Sequence, residues 1–306
     1  MRYIKEFANA SALQTAVDNG ELGRPYLCYL QDQGKIAWDS EQPGPTPHDY
    51  SKDYLTFRVT GNGVIKWVST SSSYHKTISY SKDNGNTWNE ITSDKGSSAP
   101  SISVTSGDIV KFKGNNSTYG NSSDDNTFRN STAQFDVEGN IMSLVYGDNF
   151  SGQTTLENSY NFYRLFLNCT GLTSAENLVL PATTLASACY TYMFRGCTSL
   201  TTAPELPATT LAGACYDSMF SNCTGLTTAP VLPATKFEPN CYNSMFYNCT
   251  SLNYIKCLAT VLTGVFNPTG SWLSGVSSDG TFVKASGVNW PSGVSGIPSG
   301  WTVIEE

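Results

Sequence analysis

The sequence predicts a mainly β protein with short helices, in which a small β-sandwich-like domain is followed by a short solenoid of repeats and a C-terminal cap. Three observations lead to this prediction. A block of residues recurs at a constant step through the second half of the chain. Short segments of alternating polarity, separated by turn residues, fill the region before it. A tail rich in Gly and Trp follows the last repeat.

The repeated block contains a Met-Phe pair, two cysteines, a tyrosine and a leucine, and its copies are 26 residues apart. The recurring residues are Met193-Phe194, Met219-Phe220 and Met245-Phe246; Cys189, Cys215 and Cys241; Tyr190, Tyr216 and Tyr242; Cys197, Cys223 and Cys249; and Leu200, Leu226 and Leu252. An earlier copy is displaced by 28 residues and carries Leu165-Phe166, Cys169 and Leu172. Because one copy cannot bury its own apolar side, we expect stacked coils with buried columns of equivalent side chains, including Met219, Phe220, Leu226 and Leu232.

Each coil should contain an extended segment followed by a turn-like or short helical segment, such as Ala214 to Cys223. Proline has no amide hydrogen to donate to a strand ladder. The extended segments must therefore be short, because they contain Pro204, Pro207, Pro230 and Pro233.

The region of residues 51 to 142 is predicted to be β. Tyr54 to Val59 alternates in polarity, Gly61-Asn62-Gly63 forms a turn and Val64 to Val68 resumes, which is typical of a hairpin. Further strands are predicted at Ile78 to Ser81, Trp88 to Ile91, Ser101 to Val104, Ile109 to Lys113 and Ala133 to Val137. Short strands joined by regular turns favour a small β-sandwich.

The first 40 residues are predicted to be a separate attachment module. Ser11 and Gln14 form a capping box before a short helix, and Tyr26 to Leu30 is expected to pair with Lys35 to Trp38. A Pro-rich spacer follows. The predicted organisation is an attachment module (1–40), a linker (41–50), a β-sandwich-like domain (51–142), a solenoid (143–258) and a C-terminal cap (259–306).

Composition and charge exclude several classes of function. The net charge of −7, without a basic stripe, argues against nucleic-acid binding, because contacts to phosphates need clustered cations. The sequence contains no run of 18 apolar residues, so it predicts no membrane-spanning helix. The N-terminus lacks the apolar region of a secretory signal, so we expect release by another route, such as inside a phage particle, or a signal that has been trimmed away.

The sequence predicts neither an enzyme nor a cofactor site. His48 and His75 have no neighbouring nucleophile motif or second metal ligand. Asp124 and Asp125 lie in the segment Gly114 to Thr132, which is predicted to be a solvated polar loop, with a binding loop as the alternative. The paired cysteines are eight residues apart, which is not a zinc-site spacing. They are predicted to be small buried apolar residues, and disulfides between neighbouring coils remain the alternative.

Two short motifs have a structural interpretation. Ser81 to Trp88 resembles the Asp-box, S-x-D-x-G-x-x-W, of sialidase-like propellers. That resemblance implies that Asp83 caps a hairpin turn and that Trp88 packs beneath it, without implying activity, and a ligand or calcium loop is the alternative. Asn-Cys-Thr triplets begin at Asn168, Asn222 and Asn248, and because they recur within the repeats we predict them to be turn residues.

The repeats resemble BspA-like leucine-rich repeats. The resemblance rests on Phe220-Ser221-Asn222-Cys223-Thr224-Gly225-Leu226 with Pro230 and Pro233 after it, although these coils are a few residues longer than usual. Ala12 to Trp38 resembles, more weakly, the leader of phage tail proteins.

These resemblances imply a phage or prophage tail protein that binds its receptor on a host. Residues 1–40 would attach to other virion or surface proteins, and the repeats would meet a host-surface protein or glycan. A BspA-like bacterial surface adhesin is the main alternative, and a glycan-processing enzyme is the third. The expected location is accordingly the virion tail or the bacterial cell surface.

A recognition face is predicted where the repeats vary. Three columns differ from copy to copy: Thr191, Asp217 and Asn243; Tyr192, Ser218 and Ser244; and Arg195, Ser221 and Tyr247. Core columns tolerate little change of volume, so these positions are expected to face solvent. Tyr and Arg are enriched in binding hot spots, which selects Tyr192, Arg195 and Tyr247 as predicted ligand-binding residues.

Overall fold

The computed structural model describes the strands at residues 5–7, 27–30 and 35–38, and then residues 48–262 and 264–306. The chain divides into two compact units, Met1–Asp49 and Tyr50–Glu306. The described residues form several open sheets and a few short helices, so the prediction of a mainly β protein with short helices is confirmed. No helix among them has the length and apolar character needed to cross a membrane.

The first unit contains a three-stranded sheet of β1 (Lys5–Phe7), β2 (Leu27–Leu30) and β3 (Lys35–Trp38). Strand β2 is parallel to β1 and antiparallel to β3, which confirms the predicted pairing of the last two. The predicted helix before Gly20 and the Pro-rich stretch 41–47 lie outside the described residues.

The second unit begins with three sheets, of strand order β14-β13-β4-β11-β7-β8, β10-β5 and β12-β6-β9. Their strands are β4 (Leu55–Gly61), β5 (Gly63–Lys66), β6 (Val68–Ser69), β7 (Thr77–Ser81), β8 (Asn89–Thr92), β9 (Asp94–Lys95), β10 (Ser101–Val104), β11 (Ile109–Gly114), β12 (Asn126–Thr127), β13 (Gln134–Asn140) and β14 (Asn177–Val179). The helices are α1 (Ser143–Tyr146) and short 3-10 turns at Tyr50–Lys52, Gly96–Ser98 and Gly147–Asn149.

The predicted hairpin between β4 and β5 is wrong. Strand β4 pairs with β11 and β13, whereas β5 pairs with β10 in another sheet. The amides of Thr132 and Ala133 donate to the Val64 carbonyl at 2.9 and 3.3 Å, and a Cβ on Gly63 would lie 2.5 Å from the Ala133 nitrogen. This close approach of a distant segment draws β5 away from β4.

The predicted Asp-box hairpin is formed by β7 and β8, which pair antiparallel. Asp83 accepts hydrogen bonds from the Ser81 hydroxyl at 2.7 Å and from the Thr87 amide at 2.9 Å. The Trp88 ring contacts Tyr54 edge-on at 5.0 Å. Asp83 therefore stabilises the turn, and Trp88 packs against Tyr54.

The turn segments of the repeats stack on one another. In each copy three residues four positions apart have a left-handed backbone. These residues are Tyr160, Arg164 and Asn168; Ala188, Tyr192 and Gly196; Ala214, Ser218 and Asn222; Asn240, Ser244 and Asn248; and Asn267, Ser271 and Gly275. Between them, alternate amides donate to carbonyls of the next copy, as from Tyr190 to Cys215 at 3.0 Å. The predicted turn-like segments are therefore turns, and one more copy lies within the region predicted as the cap.

The extended segments of the repeats are short because of proline. Strands form in the copies that have Leu178, Lys256 or Phe282 at the position where the middle copies carry Pro204 and Pro230. In those middle copies the segments make only isolated bridges, such as Ser174 with Thr202 and Thr228 with Tyr254.

Equivalent side chains form buried columns along the stack. Met219, Phe220, Leu226 and Leu232 are fully buried, as predicted. The rings of the phenylalanine column are nearly parallel, with centroids 5.3 to 5.7 Å apart; they belong to Phe166, Phe194, Phe220 and Phe246. Phe166 also contacts Phe57 and Phe128 of the β-region, at 6.0 and 5.8 Å. The β-region and the repeats thus share one core, and the predicted boundary near residue 142 falls inside this unit.

The tail extends the stack beyond the last predicted copy. Strands β15 (Tyr254–Cys257), β16 (Thr281–Lys284) and β17 (Thr302–Glu305) form a parallel sheet. Trp272 continues the aromatic columns and stacks on Trp290 at 5.5 Å. Its indole Nε1 donates to the Gly296 carbonyl at 2.9 Å. The tryptophans predicted to cover the last coil are thus buried against it.

The eight cysteines from Cys169 to Cys257 are buried free thiols, as predicted for small apolar core residues. The thiol of Cys197 donates to the carbonyl of Phe166 in the preceding copy at 3.0 Å, and Cys223 and Cys249 repeat this contact with Phe194 and Phe220. Burial raises the pKa of Cys197 and Cys249 to about 12. These thiols therefore act as neutral hydrogen-bond donors inside the stack.

Candidate binding site

The structure brings two of the three predicted ligand-binding residues together. Tyr192 is half-buried and Arg195 is exposed, and the Arg195 guanidinium lies 5.1 Å from the centroid of the Tyr192 ring. Tyr247 is also exposed, but it lies two repeats further along the column of Arg195. The intervening Ser221 is buried. The candidate site is therefore built around Tyr192 and Arg195.

The expectation that all variable columns face solvent is wrong at three positions. Thr191, Ser218 and Ser221 are buried. The Thr191 hydroxyl donates to the Ala214 carbonyl at 2.5 Å, and the Ser218 hydroxyl donates to Asp217 at 2.8 Å. Small hydroxyl side chains satisfy their polar atoms within the stack, so variation at a position does not by itself indicate exposure.

A second arginine, which the sequence did not single out, joins the site from the preceding repeat. The Arg164 guanidinium lies 4.7 Å from the Tyr163 ring centroid and 5.2 Å from that of Tyr192. Tyr163 and Tyr192 contact each other edge-on at 5.8 Å. We call Tyr163, Arg164, Tyr192 and Arg195 the arginine–tyrosine cluster. Its members alternate cation and ring, an arrangement that orients both guanidinium groups.

Arg164 is held in place by a buried carboxylate. The Asp125 side chain is fully buried and pairs with Arg129 and, at 3.2 Å, with Nη1 of Arg164. A buried charge is tolerated only when it is paired and hydrogen-bonded. Because the two arginines compensate Asp125 together, Arg164 cannot swing away without leaving that carboxylate half-paired.

The segment Gly114 to Thr132 is not the predicted solvated loop. Tyr119, Asp125 and Phe128 are buried, and β12 lies within the segment. Its polar side chains bond to the backbone of distant residues, as in the 2.9 Å hydrogen bond from the Thr127 hydroxyl to the Leu165 carbonyl. The segment therefore packs beneath the first repeat and supplies the buried support of the cluster.

The site concentrates positive charge on an acidic protein. Arg129, Arg164 and Arg195 are three of the six arginines in a chain with a net charge of −7. Arg195 makes no ion pair with any residue that the structure describes. Nearby, burial raises the pKa of Asp217, although its hydrogen bonds and the charge of Arg195 act in the opposite direction. Arg195 is thus an exposed cation available to a ligand.

A groove of about 550 Å³ runs beside the cluster. It is lined by Arg164, Leu167, Asn168, Thr170, Arg195, Gly196, Thr198 and Asn222. In the next two copies the position of Gly196 is occupied by Asn222 and Asn248, and Asn248 donates to Asn222 at 2.9 Å. Gly196 interrupts this ladder of asparagines. A Cβ at Gly196 would lie 2.1 Å from Oδ1 of Asn168, so the Asn168 side chain occupies the space that a larger residue at this position would need.

The other residues considered as sites lie apart from this groove. His75 is exposed, and its Nδ1 lies 2.6 Å from the Ser93 carbonyl. The oxygens of Asp83 are engaged by Ser81 and Thr87 within the hairpin turn. Within residues 48–262 and 264–306, no group of three His, Cys, Asp or Glu side chains is arranged to hold a metal ion.

Comparisons with known proteins identify no relative. No family model, no curated protein and no solved structure matches this chain. The arginine–tyrosine cluster and the groove are therefore the features of this chain that bear on its function.

Proposed function

We propose that this chain is a non-catalytic binding protein of a phage or prophage tail, whose repeats recognise the surface of a host cell. In this proposal residues 51–142 form a small β-sandwich-like domain and residues 143–258 form a BspA-like leucine-rich-repeat solenoid. Residues 1–40 attach the chain to other virion proteins. The ligand is a host-surface protein or glycan, and no cofactor takes part.

The observation that carries the proposal is the arginine–tyrosine cluster beside an open groove. Arg and Tyr side chains dominate binding hot spots because they combine contact area with directed hydrogen bonds. Here they project from stacked turns that share one buried core, so they are held in place before a ligand arrives. Preorganisation of this kind reduces the entropy lost on binding.

Backbone strain at the cluster supports the same conclusion. Arg164 and Tyr192 have φ values of 57° and 59°, in the left-handed region that large side chains disfavour. Such residues cost about 1 kcal/mol or more each, and they tend to be retained where function needs them. The equivalent positions of the later copies carry Ser218, Ser244 and Ser271.

A bacterial surface adhesin would use the same cluster, but the chain would be attached to a bacterial cell surface and not to a virion tail. The gene neighbourhood separates the two: genes for virion structural proteins on either side support the tail protein, and their absence supports the adhesin.

A triple variant tests the recognition face. Tyr192→Ala, Arg195→Ala and Tyr247→Ala together should abolish attachment of the fluorescently labelled protein to host cells. The melting temperature should fall by no more than a few degrees, because these side chains lie wholly or partly at the surface. The matched control replaces Thr183, Thr209 and Thr235, exposed equivalents on another side of the same coils, by Ala. Undiminished attachment by the folded triple variant, with the control also unchanged, would contradict the proposal.

A further inference from the structure

We propose that the groove beside Arg164 and Arg195 binds an acidic polysaccharide through the carboxylate or sulfate groups of its sugars. This inference rests on the proposed function and names the chemical class of the ligand at the same site.

The charges of the groove favour an anion. None of the residues that line it is acidic, and two are arginines. The buried carboxylate beside Arg164, that of Asp125, is shared between Arg129 and Arg164. Asp217 lies near enough to Arg195 to interact with its charge, but burial raises the pKa of Asp217, which disfavours its charged form. Arg195 has no ionic partner among the described residues, and only one nitrogen of Arg164 faces Asp125. A planar guanidinium donates two parallel hydrogen bonds to a carboxylate or a sulfate, which makes it suited to this type of group.

The hydrogen-bonding groups of the groove favour a saccharide over a peptide. The amides of Asn168, Gly196 and Asn222 donate to carbonyls of the next repeat, so the backbone here offers no strand edge to a peptide. The side chains of Asn168, Thr170 and Thr198 make no hydrogen bond with the described residues. Amide and hydroxyl side chains of this kind match the hydroxyls of a sugar chain.

The groove also lacks a pocket for an apolar peptide side chain. Leu167, which is half-buried, is the one aliphatic residue of its lining. Gly196 lies in the lining beside Asn168, where the ladder of asparagines is interrupted. An asparagine at this position would displace the lining side chain of Asn168, whose Oδ1 lies 2.1 Å from the position of the added Cβ, without substituting either arginine.

Binding of four defined polymers to the full-length protein tests the inference by calorimetry. Oligogalacturonate carries only carboxylates, dextran sulfate carries only sulfates, dextran is neutral, and poly-L-glutamate is an acidic peptide. The variants are Arg195→Gln, which removes the exposed cation, and Gly196→Asn, which displaces the lining side chain of Asn168. Gly275→Asn is the matched control, because Gly275 has the same place in the last copy and a similar φ of 79°.

We expect at least one acidic saccharide to bind and dextran not to bind. Comparison of oligogalacturonate with dextran sulfate then shows whether the groove prefers carboxylates or sulfates. Loss of a charged hydrogen bond weakens binding by about tenfold or more, which we expect for Arg195→Gln. Gly196→Asn should also weaken binding, because it displaces Asn168 in the lining, whereas Gly275→Asn should not. Affinity should also fall between about 50 and 300 mM salt, since the contact is ionic and exposed. Arg195→Gln changes an exposed side chain, so it remains a test if Gly196→Asn does not fold.

Four results would overturn the inference: equal binding of dextran, tighter binding of poly-L-glutamate than of both acidic saccharides, no binding of either acidic saccharide, or an unchanged affinity of Arg195→Gln. Host-cell attachment is measured separately. If attachment depends on Tyr192, Arg195 and Tyr247 while acidic saccharides do not bind, this inference fails and the proposed function stands. If attachment does not depend on those residues, the proposed function fails, whatever the groove binds.

Discussion

The first two repeats and the later repeats bury the same side chains but expose different ones. Their phenylalanine rings stack in one continuous column, and their buried thiols donate to equivalent carbonyls. On the surface, the first two copies place Arg164 and Tyr192 on left-handed backbone, where the later copies have serine. Stacking therefore constrains the interior in every copy and leaves each surface free to specialise.

The later copies use their surface for contacts with one another. Asn243 donates to Asp217 at 3.2 Å, and Asn267 donates to Asn243 at 3.1 Å, so polar side chains form a ladder between coils. Asn222 and Asn248 form a second such contact. Polar groups that satisfy one another are not available to a ligand. The difference teaches that the later copies satisfy their polar side chains between coils, whereas the second copy carries Thr191 and Gly196 at the ladder positions and leaves Arg195 without such a contact among the described residues.

The largest expected effect tests whether the interiors of the two regions are equivalent. Phe194→Ala and Phe220→Ala should each lower the free energy of unfolding by about 3–5 kcal/mol, because each opens a cavity in a fully buried column. Chemical denaturation of both variants measures this. Two values that differ by more than about 2 kcal/mol would show that the columns are not equivalent.

The next prediction separates the supporting arginine from the exposed one. Arg129→Met should lower the free energy of unfolding by about 3 kcal/mol, because it leaves the buried Asp125 carboxylate with one partner. Arg195→Met should change it by less than about 0.5 kcal/mol, because Arg195 is exposed. Chemical denaturation with the two variants in parallel decides the matter, and similar losses from both would mean that Arg195 also stabilises the stack.

A smaller effect concerns the tyrosine column, which runs through both regions. The hydroxyls of Tyr190 and Tyr242 are buried without a hydrogen-bond partner in the described structure. Tyr190→Phe and Tyr242→Phe should therefore raise the free energy of unfolding by up to about 1 kcal/mol, since an unsatisfied buried polar atom is removed. Phe162, stacked on Tyr190 at 5.8 Å, shows that phenylalanine fits the column. A loss of stability in thermal melts of either variant would reveal a partner for its hydroxyl.

The smallest expected effect is the pH dependence of the later ladder. Burial raises the pKa of Asp217 in the folded state above its ordinary value. A raised carboxyl pKa means that Asp217 contributes fully to stability below its unfolded pKa and that this contribution is lost as pH rises through the folded pKa. The free energy of unfolding of Asp217→Asn should thus exceed that of the parent at about pH 7 and equal it at about pH 3. The gain at about pH 7 should be less than about 1 kcal/mol, since the site is partly exposed.

Thermal melts of both proteins across this range measure the difference. Glu205→Gln, a change at an exposed carboxylate outside the ladder, is the control and should give no pH-dependent gain. A gain of Asp217→Asn that is equal at both pH values would contradict the account.

Sequence alone determined the features that depend on neighbours in the chain or on an exact period. The 26-residue step identified the buried columns, because stacked repeats need side chains of similar volume at equivalent core positions. Proline at 204 and 230 shortened the strands through a missing donor, and the Asp-box residues formed their hairpin through contacts four residues apart or fewer. The prediction of Tyr192 and Arg195 as ligand-binding residues rests on sequence alone, because they are the residue types enriched in hot spots within columns that vary from copy to copy.

Only the tertiary structure decided which distant segments meet. Val64 pairs with Thr132 and Ala133 rather than within a hairpin, and Asp125 meets Arg164, 39 residues away. A polar segment such as 114–132 is buried because partners far along the chain satisfy its hydrogen bonds, and no local pattern records those partners. The groove has the same origin, since its lining combines Asn168, Gly196 and Asn222, which belong to three successive coils.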